Sequence, residues 1–422
     1  MSSLEEIFNL AYMSHQAGHF AHAAELYRSV LQVDPDHFDS LHLLGLIVGT
    51  EGNNDLACEY LRQALRVKPG SAVAHFNLGI ILRKQGKLDE AVASYLEAIR
   101  LDPNYTQAHC NLGMLWLLRG NFEQGWPEFE WRQELKWLGF RSFPQPRWDG
   151  SHLDGKTIML HGEQGLGLTL QFVRYAPLVK QFGGSVLLES PADLAALLYS
   201  CDGIDQILHQ GVPLPPFDVQ APLMSLPAIL KTTLATVPAF IPYLRPDPAR
   251  TQAWREELNR YSGFKIGIAW QGDPRHYQPN FTPEDRARSI PLAHFETLVR
   301  LPGVRFFSLQ KGYGTEQLAQ WGAKWGIVEL GDRLHDFMET AAVMMNLDLI
   351  ISADTSPVHL AGALGRNVWT ILPCDASWRW LLHRQDSPWY PTMRLFRQQQ
   401  PGDWPEVFAR VARELQQRVN SP

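Results

Sequence analysis

No stretch of this 422-residue sequence stays apolar for the ~18 residues that a membrane-crossing helix needs, and its opening, MSSLEEIFNLAYMSHQ, has neither the positive start nor the apolar centre of an export signal. A cytoplasmic protein without membrane insertion is expected. Cysteine is scarce: Cys58, Cys110, Cys201 and Cys374 lie far apart and form no CxxC pair, which excludes a disulfide framework and a zinc knot. Positive charge is not in excess either. With 38 Lys and Arg against 44 Asp and Glu, the net charge is -6, so no general nucleic-acid surface is expected and any phosphate must be bound locally. An Asp-x-Asp in a loop suited to a cation is also missing, since Asp34-Pro-Asp36 falls at a repeat boundary; no metal is expected.

Repetition, by contrast, is plain. Pro35, Pro69 and Pro103 stand 34 residues apart, the period of a tandem helical hairpin. Leu10-Ala11, Leu44-Gly45, Leu78-Gly79 and Leu112-Gly113 recur in the first helix of each unit, and Gly18, Gly52, Gly86 and Gly120 at its turn. The second helix repeats Ala23, Ala57 and Ala91, with Tyr27, Leu61, Tyr95 and Phe129 at a further fixed position. This resembles the tetratricopeptide (TPR) repeat. Small residues at Gly45 and Ala57 let paired helices approach, while Leu44 and Leu61 fill the space between hairpins. Each proline ends a second helix because its ring cannot donate the next hydrogen bond. A fourth unit has Gly125 where Ala is usual and no closing proline, running instead into GWPEFEWRQELKW; it reads as a capping repeat that docks on the following domain. Stacked hairpins expose a concave groove, with His75, Asn77 and Asn111 as candidate contacts to a bound polypeptide.

From about residue 141 the period changes. Short β-rich runs (TIMLHG, SVLLES, FDVQAPL, KIGIAWQG, VRFFSLQKG, LDLIISA, NVWTILP) alternate with helical runs such as LTLQFVRYAPLVKQFG, which signals βα units and parallel sheets. The proline-punctuated stretch VPAFIPYLRPDPARTQAW separates two such sets as a linker. The fold class is therefore α plus α/β: a TPR solenoid over 1–140, then two Rossmann-like lobes over 141–245 and 246–422. Two such lobes in series place a ligand crevice between them, which is similar to the GT-B plan. A dehydrogenase is disfavoured, because GEQGLGL does not fit GxGxxG.

The sharpest motif is the strand IIS followed by Ala353-Asp354-Thr355-Ser356-Pro357-Val358-His359-Leu360-Ala361-Gly362. Pro357 suits a first helical turn, and the amides of Thr355 and Ser356 with the helix dipole would form an anion site fit for a diphosphate. Asp354 either caps that helix or accepts a sugar or ribose hydroxyl. DTSPVHLAGALG, followed by WRWLLHRQDSPWYPTMRLFRQ, resembles the carboxyl lobe of the TPR-linked bacterial glycosyltransferases, relatives of the family 9 heptosyltransferases; KIGIAWQGDPRH, RARSIPLAHF and FFSLQKG occur in the matching order. The resemblance covers about residues 110–415. It implies that Trp270, Gly272, Arg288, Gln310, Lys311, Asp354, Thr355, Ser356 and His359 surround a nucleotide-sugar, with Lys311 and Arg288 neutralising phosphate charge. A nucleotide-sugar is then substrate, and no further cofactor is expected. The aromatic group Trp378, Trp380, Trp389 and Tyr390, with Arg379, is expected mostly to pack the terminal segment across the two lobes.

In the first lobe, His161-Gly162-Glu163-Gln164-Gly165-Leu166-Gly167 marks a strand-to-helix turn facing the crevice. Relatives of this kind commonly read GxGDT here. This chain has Leu168 in the acid's place, and leucine cannot accept a proton. Glu163 or His161 is left as the candidate base, with Gly165, Gly167, Gln171 and Arg174 on the acceptor side. Three readings follow. One is transfer of a sugar to a Ser or Thr of a TPR-held protein, with flagellin the acceptor the resemblance suggests. The others are lipopolysaccharide or glycan transfer, and a non-catalytic scaffold with a degenerate GT-B half.

Overall fold

The computed structural model describes residues 3–135, 141–163, 165–272 and 288–420. The end of the capping segment at Lys136-Trp137, Gln164 of the glycine loop, and residues 273–287, which carry the end of KIGIAWQGDPRH and the start of RARSIPLAHF, lie outside the described residues. Two compact units make up the chain, Met1–Gly139 and Phe140–Pro422.

The first unit consists of tetratricopeptide hairpins: α1 (Leu4–Gln16) with α2 (Phe20–Val33), α3 (Phe38–Thr50) with α4 (Asn54–Val67), α5 (Ala72–Lys84) with α6 (Leu88–Leu101), and α7 (Thr106–Leu118) with the shorter α8 (Phe122–Glu130). The recurring turn glycine has φ between 74° and 89° in all four, a left-handed conformation in which a Cβ is costly. Helices α2, α4 and α6 stop two residues before Pro35, Pro69 and Pro103, since a residue preceding proline is pushed out of the helical region. The small first-helix residue pairs with the fixed second-helix position: a methyl group on Gly113 would stand 2.5 Å from the Phe129 amide nitrogen, and one on Gly79 2.6 Å from the Tyr95 ring. Gly125 departs from the usual Ala for the same reason, because a Cβ there would meet the Leu117 side chain at 2.7 Å. Two of the three expected groove contacts have partners inside the unit. His75 Nε2 lies 3.0 Å from the Pro69 carbonyl and Asn77 Nδ2 2.8 Å from His42 Nε2; Asn111 is half-buried.

The second unit holds two sheets whose paired strands are all parallel. The first comprises β1 (Thr157–His161), β2 (Ser185–Ser190), β3 (Gln206–His209) and β4 (Val219–Pro222) in the order β3-β2-β1-β4. The second comprises β5 (Phe264–Ala269), β6 (Val304–Ser308), β7 (Val328–Glu329), β8 (Leu349–Ala353), β9 (Val368–Leu372) and β10 (Met393–Arg397) in the order β10-β9-β8-β5-β6-β7. Strands β8 and β9 are buried along their whole length, as expected of parallel strands covered on both faces. Ile266, Ile268, Phe306, Leu349 and Ile351 form one core with Val407, Phe408, Val411 and Leu415 of the helix Trp404–Asn420. The chain enters this sheet at its centre, winds outward through β6 and β7, and returns to place β8 on the other side of β5. The winding direction therefore reverses between β5 and β8, where Ala269 is in register with Ser352.

Three details differ from the sequence-based expectation. LTLQFVRYAPLVKQFG is not one helix but Leu166–Phe172, a 3-10 turn Val173–Tyr175 and Ala176–Lys180, because Pro177 has no amide hydrogen to continue the ladder. The second half of the supposed linker is helical over Pro248–Leu258, with the Asp247 carboxylate accepting from the Arg250 amide at 2.7 Å and proline in the first turn. TMRLFRQ, quoted above only within the segment that carries the resemblance and not among the β-rich runs, supplies β10. Among the described residues no helix is long and apolar enough to cross a membrane.

Candidate functional site

In a doubly wound sheet the strands flanking the reversal diverge at their carboxyl ends and leave a crevice. Trp270, Gln271 and Gly272 follow β5 there, and Asp354, Thr355 and Ser356 follow β8. A Cβ on Gly272 would stand 3.5 Å from Thr355 Cγ2, so the two loops are in contact. Thr355 precedes the helix Ser356–Ala363 in an extended conformation, and its side chain does not cap the helix. Of the two amides expected to be open, that of Thr355 turns back to the Ala353 carbonyl at 2.7 Å. Of that pair, the Ser356 amide alone is left as a helix-terminal donor among the described residues.

Asp354 is 3% exposed. Its Oδ2 lies 3.9 Å from Arg379 Nη2 and its Oδ1 4.0 Å from His359 Nε2, separations too long to be hydrogen bonds. Oδ1 has no hydrogen-bond partner among the described residues. Burial pushes the carboxyl pKa up, but Arg379, Arg288 and His359 more than offset this and hold it below its ordinary value. Asp354 is thus a buried, ionised acceptor. His359 contacts the Tyr390 hydroxyl through Nδ1 at 3.0 Å and stacks on Trp380 with ring centroids 5.4 Å apart. Burial first, then Arg379, drives its pKa down to about 3, so at neutral pH the ring carries no charge.

The first sheet reaches this turn through the helix Leu166–Phe172. A methyl group on Gly167 would stand 2.9 Å from His359 Cδ2 and 3.4 Å from Ser356 Cα. Gly167 therefore lies directly on the start of the Ser356 helix, and the structure brings together Gly167, Gly272, Asp354, Thr355, Ser356 and His359, with Arg288 in electrostatic range of Asp354. Gly165 is the N-cap residue of the Gly167 helix.

Other sequence-derived candidates stand elsewhere. Trp270 is fully buried in the core, its indole donating to the Gly314 carbonyl at 3.2 Å. Gln310 accepts from the Trp270 and Gln271 amides and donates to the Gln271 and Tyr313 carbonyls, all within 3.1 Å; it ties the loop after β5 to the loop after β6 and has no capacity left for a ligand. Lys311, exposed beyond β6, donates to the His335 carbonyl at 3.1 Å. Arg174, expected on the acceptor side, is fully buried. It donates to the carbonyls of Gln171, Pro238 and Trp389 and to the Tyr243 hydroxyl, and lies 4.4–5.7 Å from the ring centroids of Tyr390, Tyr243 and Trp389. That arginine fastens the terminal segment to the first sheet and is withdrawn from any crevice. Gln171, one helical turn beyond Gly167, is fully buried with no partner for its side-chain amide among the described residues.

The two candidate bases are fastened at the carboxyl end of the first sheet. His161 Nε2 lies 3.0 Å from Gln220 Oε1, and burial lowers its pKa. Glu163 accepts from the Met224 amide at 3.1 Å, beside β4. The aromatic residues Trp378, Trp380, Trp389 and Tyr390 are buried, and Phe172 of the first sheet's helix touches both Trp378 and Trp389, so they pack the terminal segment between the two sheets. Sequence reasoning missed Arg379 as the charge partner of Asp354. Its signal was present: a cation between two tryptophans, whose burial forces the side chain between them toward a fixed place.

The chain thus joins a tetratricopeptide unit to an α/β unit of parallel sheets with a polar site at the strand reversal. Family models described as tetratricopeptide or TPR repeats match residues 15–72, 60–93 and 79–116. Protein FlbA of Caulobacter vibrioides is 29% identical over 325 residues, an alignment spanning 71% of this chain and 53% of that protein. The chain thus spans about half the length of the curated relative it matches, and an alignment of that extent runs well past the repeats. Among solved structures, "Crystal structure of MamA" covers 33% of this chain and 82% of its own at 19% identity and a TM-score of 0.31; "MamA 41-end from Desulfovibrio magneticus RS-1" covers 32% and 76% at 21% identity and 0.30. These low scores carry no functional weight.

Proposed function

We propose that the second unit is a GT-B glycosyltransferase that takes a sugar from a nucleotide-sugar, without a required metal, and that the repeats hold its protein acceptor. The observation that carries this reading is the ionised, buried Asp354 beside a helix start at the reversal of a doubly wound sheet, with a glycine of the other sheet laid against it. A sugar or ribose hydroxyl would be a donor to Asp354 Oδ1, which has no partner among the described residues. The Ser356 amide and the nearby guanidiniums offer favourable charge to a departing nucleotide phosphate. Glu163 or His161 is the candidate for activating the acceptor hydroxyl, which is a Ser or Thr hydroxyl, of flagellin in the first instance, under this reading.

The test is calorimetric titration of the full chain with UDP-, GDP-, ADP-, CMP- and dTDP-sugars, followed by a transfer assay with the donor that binds. Asp354→Asn is expected to lower turnover at least a hundredfold, because a neutral amide cannot match a carboxylate as acceptor. Silence from every donor would overturn the enzymatic reading. One observation favours a non-catalytic scaffold instead: both candidate bases already have bonds within their own sheet. A Glu163→Gln, His161→Gln double variant with unchanged turnover would show that neither is the base.

A further inference from the structure

First and second helices of the repeats turn different faces to solvent. The exposed face of α4 carries Asp55, Glu59, Arg62 and Arg66, the charged surface expected of a solvated helix. The first helices do otherwise. Tyr12, Leu46, Ile80 and Met114 occupy one position in all four, each 34 residues from the next and one residue beyond Ala11, Gly45, Gly79 and Gly113. Tyr12 is 44% exposed and Met114 38%, while Leu46 and Ile80 are half-buried. Helical geometry accounts for this. Leu44, Gly45, Ile47 and Val48 of α3 are buried, and Leu46, about 100° around the axis from both Gly45 and Ile47, is left facing outward.

The first helices of consecutive repeats lie side by side. Asn77 of α5 reaches His42 of α3 at 2.8 Å, and a methyl group on Gly49 of α3 would stand 2.6 Å from Ile81 of α5. Phe8 meets His37 at the start of α3, and Phe76 meets Tyr105 at the start of α7, with ring centroids 4.9 and 5.0 Å apart. The four outward side chains therefore form one column along the repeats, in steps of about 8–10 Å, the separation of packed helix axes. An apolar column on a solenoid surface is the mark of a bound partner.

The step decides what kind. Seven residues of α-helix advance about 10 Å and return to nearly the same face. An extended strand covers that distance in about three residues, an odd number, so its successive contacts point to opposite faces. A polyproline helix does return at every third residue, but its backbone groups need partners. The column offers few: Asn77 is engaged by His42, and the equivalent position in the second repeat is Leu43. An α-helix satisfies its own backbone and needs only the hydrocarbon. Charge adds a direction. Glu5 and Asp39 are exposed in the first turns of α1 and α3, and Lys84 is exposed in the last turn of α5. The positive amino end of a bound helix is favoured over the first two repeats, and its negative carboxyl end beyond them.

We infer that Tyr12, Leu46, Ile80 and Met114 seat an amphipathic α-helix of the partner protein, with apolar residues at seven-residue intervals and its amino end over the first repeat. This assignment rests on the reading above in which the repeats hold the acceptor, and names the part of the acceptor they hold.

The experiment is fluorescence anisotropy of labelled synthetic peptides with the full-length chain, beside binding of purified flagellin. One peptide carries leucine at every seventh residue of a helical sequence, with lysines flanking its amino half and glutamates its carboxyl half. A second exchanges those charges, and a third places the leucines at every third residue among prolines. The first is expected to bind, and the second to bind more weakly. Leu46→Ser with Ile80→Ser should weaken the first peptide about tenfold or more, since two apolar contacts are lost. Tyr12→Ser with Met114→Ser, at the more exposed positions, should do the same and serves if the inner pair lowers the thermal midpoint of the repeats. Leu96→Ser, an exposed leucine on α6, should change nothing. If the proline peptide binds and the helical one does not, the helix assignment falls and the acceptor-holding reading stands. If the helical peptide binds but neither pair weakens it, or Leu96→Ser weakens it equally, the column assignment falls. If both pairs weaken the peptide while flagellin binds parent and variants alike, the column seats a helix and the reading with flagellin in the groove falls. Failure of every peptide overturns the assignment, and failure of flagellin as well overturns both.

Discussion

Replacing Arg174 by Met keeps the unbranched stem of the side chain and deletes its guanidinium, and the structure allows the cost to be worked out. Arg174 makes four hydrogen bonds, to the carbonyls of Gln171, Pro238 and Trp389 and to the Tyr243 hydroxyl. Charge-assisted bonds contribute about 1.5–3 kcal/mol each, so roughly 6 kcal/mol or more is lost. Against this, methionine escapes the several kcal/mol needed to desolvate a guanidinium. The Tyr243 hydroxyl also keeps its own bond to the Leu170 carbonyl at 2.8 Å. A net loss of about 3 kcal/mol remains, which lowers the thermal midpoint of the second unit by roughly 5 °C for a body of this size. The readout is tryptophan fluorescence during heating, because most tryptophans belong to that unit, with far-UV circular dichroism following the repeat helices separately. Arg174→Lys, which keeps the charge but not the fork, should lose less than half as much. A midpoint within 1 °C of the parent protein for Arg174→Met would refute the view that this arginine ties the terminal segment to the first sheet.

Further outcomes are expected. Gly113→Ala should destabilise the repeat unit by about 1–3 kcal/mol in urea despite alanine's higher helix propensity, since its methyl group would stand 2.5 Å from the Phe129 backbone nitrogen; a stabilised unit would contradict the close packing. His359 stays neutral in the folded chain, with its pKa lowered to about 3, while the unfolded chain takes up a proton near pH 6.5. Its contribution is therefore complete above pH 6.5 and declines as pH falls toward 3, at up to ~1.4 kcal/mol per pH unit. His359→Asn should flatten the stability of the second unit between pH 6 and 4 by about one proton; equal slopes for both proteins would exclude this origin. Gln310→Leu should loosen the loops after β5 and β6 and weaken nucleotide binding several-fold, measured by the same titrations as above.

The repeats were legible because a solenoid imposes one geometry at every period: the glycine at Gly18 and its equivalents, and the small residue at Gly79 or Gly113, are each forced by a backbone angle or a contact that recurs. The parallel sheets were legible for a related reason, since buried strands must be nearly continuous in apolar residues. Legibility ended where long-range partners decide a residue's role. Arg174 was expected on the acceptor side of the crevice, yet one of its acceptors, the Trp389 carbonyl, lies 215 residues away. Gln310 and Trp270 stood in the expected order but spend their polar groups on neighbouring loops. The Asp-Thr-Ser-Pro turn was readable as a helix start, whereas the return of the Thr355 amide to Ala353 was not. The helix at Pro248 was announced by Asp247-Pro248, an N-cap followed by a first-turn proline, and was obscured by the prolines before it.

Gly167 has no side chain to interlock with the imidazole beneath it. A contact of that kind resists compression and hardly opposes rolling, much as a smooth bearing does. A single added methyl group at that point would act as a shim, meeting the His359 ring at 2.9 Å and forcing one helix off the other.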